Sequence, residues 1–267
     1  MRSGKCALCL QAANLQKSHL IPQGIHKTLQ QPNNAIRNPI LVTASTTVQT
    51  SDQVRDYLLC KSCELLFQQR GEDWVMKNGP HRNGRFQLRD ALLRSPVKST
   101  IPSGDVYKEP YDPAFDLEKL IYFAASVFWR SSVHHWRGFE HLMTRAELPD
   151  RLEEGLRLFL LHEAQFPTDL VLLISVTATR IWPHLTHPSP MKQAAPTVPS
   201  MAGYAFMIPG LQFRMHYENV PDKMKGVSVA VPPHAILLSD RVESEIRAEA
   251  EKMRKTSKLV GSLVGKF

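Results

Sequence analysis

Apolar residues recur from residue 117 onward with two different periods. Residues 117 to about 130 are apolar at every turn and follow Asp116, whose carboxylate can accept from the free N–H groups of a first helical turn, so a helix is expected there. Leu152, Leu156, Phe159 and Leu160 repeat at helical spacing behind Pro149-Asp150 and predict a second helix. Residues 170–178 form a short apolar run with β-branched members, the pattern of a buried strand. Residues 202–208 and 211–217 flank Pro209-Gly210 and predict a hairpin, and 227–231 reads as a further strand. A last helix is expected from 241 to about 255, capped by Asp240 with Glu243 as its capping-box partner. Residues 183–200, rich in proline and poor in charge, read as a loop. The mixture is α+β, and no internal repeat is present.

The first part of the chain differs in texture. All four cysteines fall into two Cys-x-x-Cys pairs, Cys6/Cys9 and Cys60/Cys63. Such pairs set two thiolates on one ion from a tight knuckle, and two pairs complete a tetrahedral site, so a structural Zn2+ is expected. Disulfides or redox thiols are the competing explanation. The chain divides into a zinc-bound module at 1–76, a basic segment and linker at 77–115, and an α+β domain at 116–267. Within the basic segment Arg82, Arg85 and Arg89 are candidates for contact with a nucleic-acid backbone; a solvated surface is the alternative. The net charge of +8 and pI near 9.4 agree with a polyanionic partner. The longest apolar stretches, 120–129 and 170–178, fall short of the roughly 20 residues that span a bilayer. The N-terminus runs straight into a knuckle without an apolar leader. A cytoplasmic protein with no membrane partner is therefore expected.

Between the knuckles stands Ser18-His19-Leu20-Ile21-Pro22, and the second pair sits in Leu59-Cys60-Lys61-Ser62-Cys63-Glu64. Over about residues 5–75 this arrangement resembles the zinc-bearing branch of the HNH (ββα-metal) endonucleases. The resemblance implies a small treble-clef/ββα-metal zinc module, followed here by the mixed α+β domain. It also implies hydrolysis of nucleic-acid phosphodiester bonds, with DNA the expected substrate, His19 as general base and Glu64 as ligand of a separate Mg2+ or Mn2+. Ser18 departs from the family, which has an aspartate there, and serine is a poor ligand for a hard cation. Glu72 and Asp73 are candidates to compensate: in a continuous helix Glu64, Gln68 and Glu72 share a face, although Gly71 argues against continuity.

The residues themselves leave other readings open. His19 can be a structural histidine or a zinc ligand, and Glu64 a first-turn acid matched to the helix dipole. His26 reads as a polar surface residue, with ligation the alternative. Trp129 and Trp136 read as core, and the adjacent His134 and His135 point apart. The chain as a whole can be a non-catalytic zinc-stabilised protein that binds nucleic acid or protein. No phosphate loop, dinucleotide fingerprint or nucleophile elbow is present.

Overall fold

The structure, a computed structural model, describes residues 2–30, 38–43, 45–81, 83–140, 142–143, 145–179, 181–191, 202–230, 232 and 234–264. The architecture is mixed α+β. Two layers of secondary structure enclose the helix Leu117–Val133 (α5), in which every residue from Leu120 to Ser132 is buried. A helix that is apolar on all sides must be covered on all sides. Its start is fixed as expected, the Asp116 carboxylate accepting from the Lys119 N–H at 3.1 Å.

One layer is N-terminal. Strands β1 (Arg2–Lys5), β2 (Ala12–His19) and β5 (Arg55–Cys60) form an antiparallel sheet in the order β1-β2-β5. Helix α1 (Gln23–Leu29) follows β2, and α2 (Lys61–Phe67) starts directly from β5. Gly71 does not interrupt the helix. The chain passes through a π-helical turn at Gln68–Glu72 into α3 (Asp73–Asn78). A Cβ at Gly71 would stand 2.9 Å from the Phe123 nitrogen and 3.0 Å from its Cα, so the absent side chain is what lets this turn touch the α5 backbone. A third, small sheet pairs β3 (Ile40–Val42) with β4 (Thr46–Gln49), and β4 in parallel with β13 (Lys258–Val260) from the far end of the chain.

The other layer is a seven-stranded sheet. It comprises β6 (Val97–Ile101), β7 (Gly104–Lys108), β12 (Ala235–Leu238), β8 (Val171–Val176), β11 (Leu211–His216), β10 (Gly203–Ile208) and β9 (Thr186–Pro190), in that spatial order. Only β12 and β8 run parallel. Phe206 and Phe213 stack with centroids 4.6 Å apart, and against them pack Phe123 and Phe128 of α5. Helix α6 (Asp150–Leu160) buries Leu152, Leu156 and Leu160, and the Leu160 carbonyl accepts from Tyr122 at 2.8 Å. Helices α4 (Gln87–Arg94), α7 (Asp222–Lys225) and α8 (Arg241–Thr256) complete the set. One continuous apolar core runs from Cys6 to Leu238 across both layers. Among the described residues no helix is long and apolar enough to cross a membrane.

Several elements differ from the sequence expectation. The stretch 95–113, expected as a linker, carries the β6–β7 hairpin. Every β6 side chain is exposed, so no alternation marked it. The expected strand at 227–231 is absent among its described residues: Val229 donates to the Leu172 carbonyl at 2.8 Å but the chain bends there, and the strand forms later as β12. Within the expected loop at 183–200 lies β9, while 192–200 falls outside the described residues. Glu243 does not close a capping box. It is buried and accepts from the Thr177 hydroxyl and the Trp182 N–H, while the Asp240 carboxylate accepts from Thr179.

Gly71→Ala is expected to lower the unfolding free energy by about 1–3 kcal/mol, because backbone atoms and not a flexible side chain would have to move. The readout is a lower urea midpoint at unchanged slope; an unchanged midpoint would show that the two helices can part at no cost. A second expectation concerns pH. Burial holds His26, His187 and His216 at about 4, below the ordinary 6.5. Their contribution to stability is complete above about 6.5 and is lost as pH falls toward about 4, the unfolded chain binding more protons throughout that window. Urea midpoints that stay level between pH 7 and 4.5 would contradict it.

Candidate metal centre and active site

The first knuckle is the turn between β1 and β2. Its backbone is fixed by the Cys6 N–H donating to the Gln11 carbonyl and the Leu10 N–H to the Cys6 carbonyl, each at 2.9 Å, with Leu10 in the left-handed region at φ 61°. Arg157 of α6 clamps it by donating to the Leu8 carbonyl at 2.9 Å. The second knuckle is the junction of β5 and α2, with Cys60 ending the strand and Cys63 in the first helical turn. All four sulfurs lie within 4.8 Å of one another, and Cys9 and Cys60 are 3.9 Å apart. A tetrahedral thiolate site with metal–sulfur bonds near 2.3 Å has sulfur–sulfur edges of about 3.8 Å. The four thiols therefore have the spacing that a bound metal ion needs. They are free, not paired in disulfides.

The electrostatics favour a thiolate at Cys6, whereas burial raises the Cys9 thiol. The Cys63 thiol donates to Cys6 and drives the Cys6 thiol down to about 4, with the N–H groups of Cys60, Cys9 and Leu8 assisting against burial. The Cys60 N–H donates to the Cys6 sulfur at 3.3 Å. Cys63 is pushed up by the same bond and by burial. Backbone N–H groups aimed at sulfur stabilise thiolate, the form that ligates metal.

Ser18 and Glu64 are directly bonded. The buried Ser18 hydroxyl accepts from the Leu59 N–H at 3.3 Å and donates to the Glu64 carboxylate. Ser18, on β2, thus brackets β5 to α2. Burial raises the Glu64 carboxyl above its ordinary value, with Glu72 and Cys6 adding to the rise while Ser18 and Arg130 oppose it. Glu72 in turn pairs with Arg130 at 2.6 Å. Arg130 is 1% exposed, donates to the His19 carbonyl at 2.7 Å, to the Ser126 carbonyl at 3.2 Å and to the Ser126 hydroxyl at 3.1 Å, and lies 5.1 Å over the Phe67 ring.

His19 ends β2 with its carbonyl held by Arg130 and its Nε2 buried without a hydrogen-bond partner. Burial, then the charges of Arg55 and Arg130, depress its pKa, so the ring is neutral at pH 7. Its ring is not part of the converging cysteine set, so it does not replace a thiolate there. His26 is not a surface residue. It is 7% exposed with Nε2 unpartnered, because α1 turns it inward, where its charged form would be opposed by His19 and would itself oppose that of His187 on β9.

The other candidates separate. Arg82 lies outside the described residues. Arg85 is exposed. Arg89 donates to the carbonyls of Ala178 and Thr179, at 3.4 and 2.8 Å, and stacks on Phe86 at 5.3 Å, which ties α4 to the sheet. Asp73 accepts from Gln68 at 3.4 Å. Trp129 and Trp136 are buried; His134 pairs with Asp56 at 2.9 Å, and His135 accepts from Arg145 at 3.0 Å. The residue that sequence reasoning missed is Arg130. Its signal was an arginine four positions after Ser126 that follows the largely apolar run 120–129.

Cys63→Ala is expected to reduce bound metal from about one ion per chain to nearly none and to loosen residues 2–78. Elemental analysis and hydrogen exchange read the two effects; full metal retention would exclude these cysteines as the ligand set. No family model, no curated protein and no solved structure matches the chain.

Proposed function

We propose that the protein hydrolyses nucleic-acid phosphodiester bonds in the manner of the HNH endonucleases, on a treble-clef/ββα-metal module stabilised by Zn2+ at Cys6, Cys9, Cys60 and Cys63. The observation that carries this reading is the neutral, unpartnered Nε2 of His19 at a strand end fixed by Arg130. A neutral imidazole with a free ring nitrogen can take the proton of a water attacking phosphorus. Anchoring the carbonyl limits the directions that the ring can take. Arg85 would meet the substrate backbone, its exposed guanidinium supplying salt-dependent affinity.

The hard cation of this chemistry, Mg2+ or Mn2+, would be served by Glu64 and Glu72, two neighbouring carboxylates that each have one oxygen engaged, by Ser18 and by Arg130. The donor type fits a hard cation, and the burial that raises the Glu64 carboxyl, with a smaller contribution from Glu72, is opposed by positive charge placed beside it. Bound there, the ion would supply positive charge to the leaving oxygen.

A second reading is favoured by the Ser18–Glu64 bond. A carboxylate that is buried, raised in pKa and committed to a serine hydroxyl is a weaker cation ligand, as expected of a zinc-stabilised binding protein without hydrolytic activity. Cleavage of plasmid and single-stranded substrates by zinc-loaded protein with Mg2+, Mn2+ or EDTA separates the two. Divalent-dependent cutting is expected, reduced about 10²–10⁴-fold in His19→Ala at unchanged zinc content. Absence of cutting by the zinc-loaded wild type on either substrate would instead favour the binding protein.

A further inference from the structure

Along β11 the residues Leu211, Phe213 and Met215 are turned toward the α5 side, so Gln212, Arg214 and His216 share the opposite face of the sheet. Register adds Ser175 of β8, opposite Gln212, and the small residues Gly203 and Ala205 of β10, opposite His216 and Arg214. Ser175, Gln212 and His216 are 5%, 8% and 4% exposed. Yet the Ser175 hydroxyl, the Gln212 Oε1, the Arg214 Nε and both ring nitrogens of His216 have no hydrogen-bond partner. Buried polar groups are nearly always bonded, and here Arg214, the residues two positions to either side of it and Ser175 on the adjoining strand break the rule along one sheet face.

We propose that this face binds a small oxyanion, the phosphate or carboxylate group of a ligand, centred on Arg214. A guanidinium, a hydroxyl, an imidazole and an amide are all able to donate, the amide after the simple flip that interchanges its oxygen and nitrogen. An oxyanion beside Arg214 accepts from the guanidinium and from a flanking donor on the same sheet face, whereas a cation is repelled by Arg214 and an apolar group leaves the donors unpaired. The acid whose charge reaches Arg214, Glu245 of α8, is exposed and bonded to Arg241 at 2.9 Å. Among the described residues no carboxylate lies within ion-pair distance of Arg214. Approach is open at the centre of the row, where Arg214, Ala205 and Leu237 keep partial access to solvent. The sheet separates this face from α5, so the site is independent of His19 and of the cysteines.

The test is titration of the full-length, zinc-loaded protein with sodium phosphate and with sodium acetate, each against sodium chloride at equal ionic strength, followed by calorimetry and by thermal midpoint. A saturable response to phosphate alone assigns a phosphoryl group, and to acetate alone a carboxylate. Arg214→Met is expected to weaken the response about tenfold or more, and Ser175→Ala, which keeps the guanidinium, several-fold. No saturable response to either anion in the wild type overturns the proposal. So does a response unchanged in both variants.

Discussion

A guanidinium stripped of its water must find its hydrogen bonds inside the protein, and Arg130 finds them in three separate stretches of chain: the end of β2, the π-helical turn and its own helix. Because no one of these segments can move without leaving a buried charge short of partners, their relative positions are set together. Glu72 can reach Arg130 because the chain continues helically through residue 72, and the turn can lie on α5 because residue 71 has no side chain. A glycine, an acid and an arginine fifty-eight positions apart thus form one constraint. The strand end that carries His19 inherits its rigidity from a helix more than a hundred residues further along the chain.

The N-terminal layer shows why this coupling matters. Short strands and short helices enclose little apolar volume of their own, and segments of this size are normally held by metal or by a neighbour. Here four converging sulfurs with the spacing to hold an ion stand at one end, and α5 with α6 lie along the flank. Arg157 bridges the two by reaching from α6 to the carbonyl beside the first knuckle.

Legibility in the sequence followed the physics of each element. The knuckles were readable because ligand spacing is local. The α5 and α6 helices, β8 and the β10–β11 hairpin were readable because each has a buried face with its own period. The edges were not. β6 is exposed throughout, and β9 is the proline- and histidine-bearing Thr186–Pro190, so each owes its extended form to the strand beside it. At the candidate site, Ser18, His19 and Glu64 were visible as a motif. The bond that joins Ser18 to Glu64, and the burial of His26, depend on residues brought together over long separations, and no local pattern announces them.

The pairing of β13 with β4 carries a consequence for how the chain comes into being. Residues 46–48 receive their parallel neighbour from 258–260, and the Thr47 and Ser257 hydroxyls meet at 2.6 Å. A ribosome delivers the first segment more than two hundred residues before the second. Until then β4 is a nascent edge strand with an open row of hydrogen-bonding groups, the kind of surface that chaperones cover. The small sheet therefore closes only after residues 258–260 have emerged.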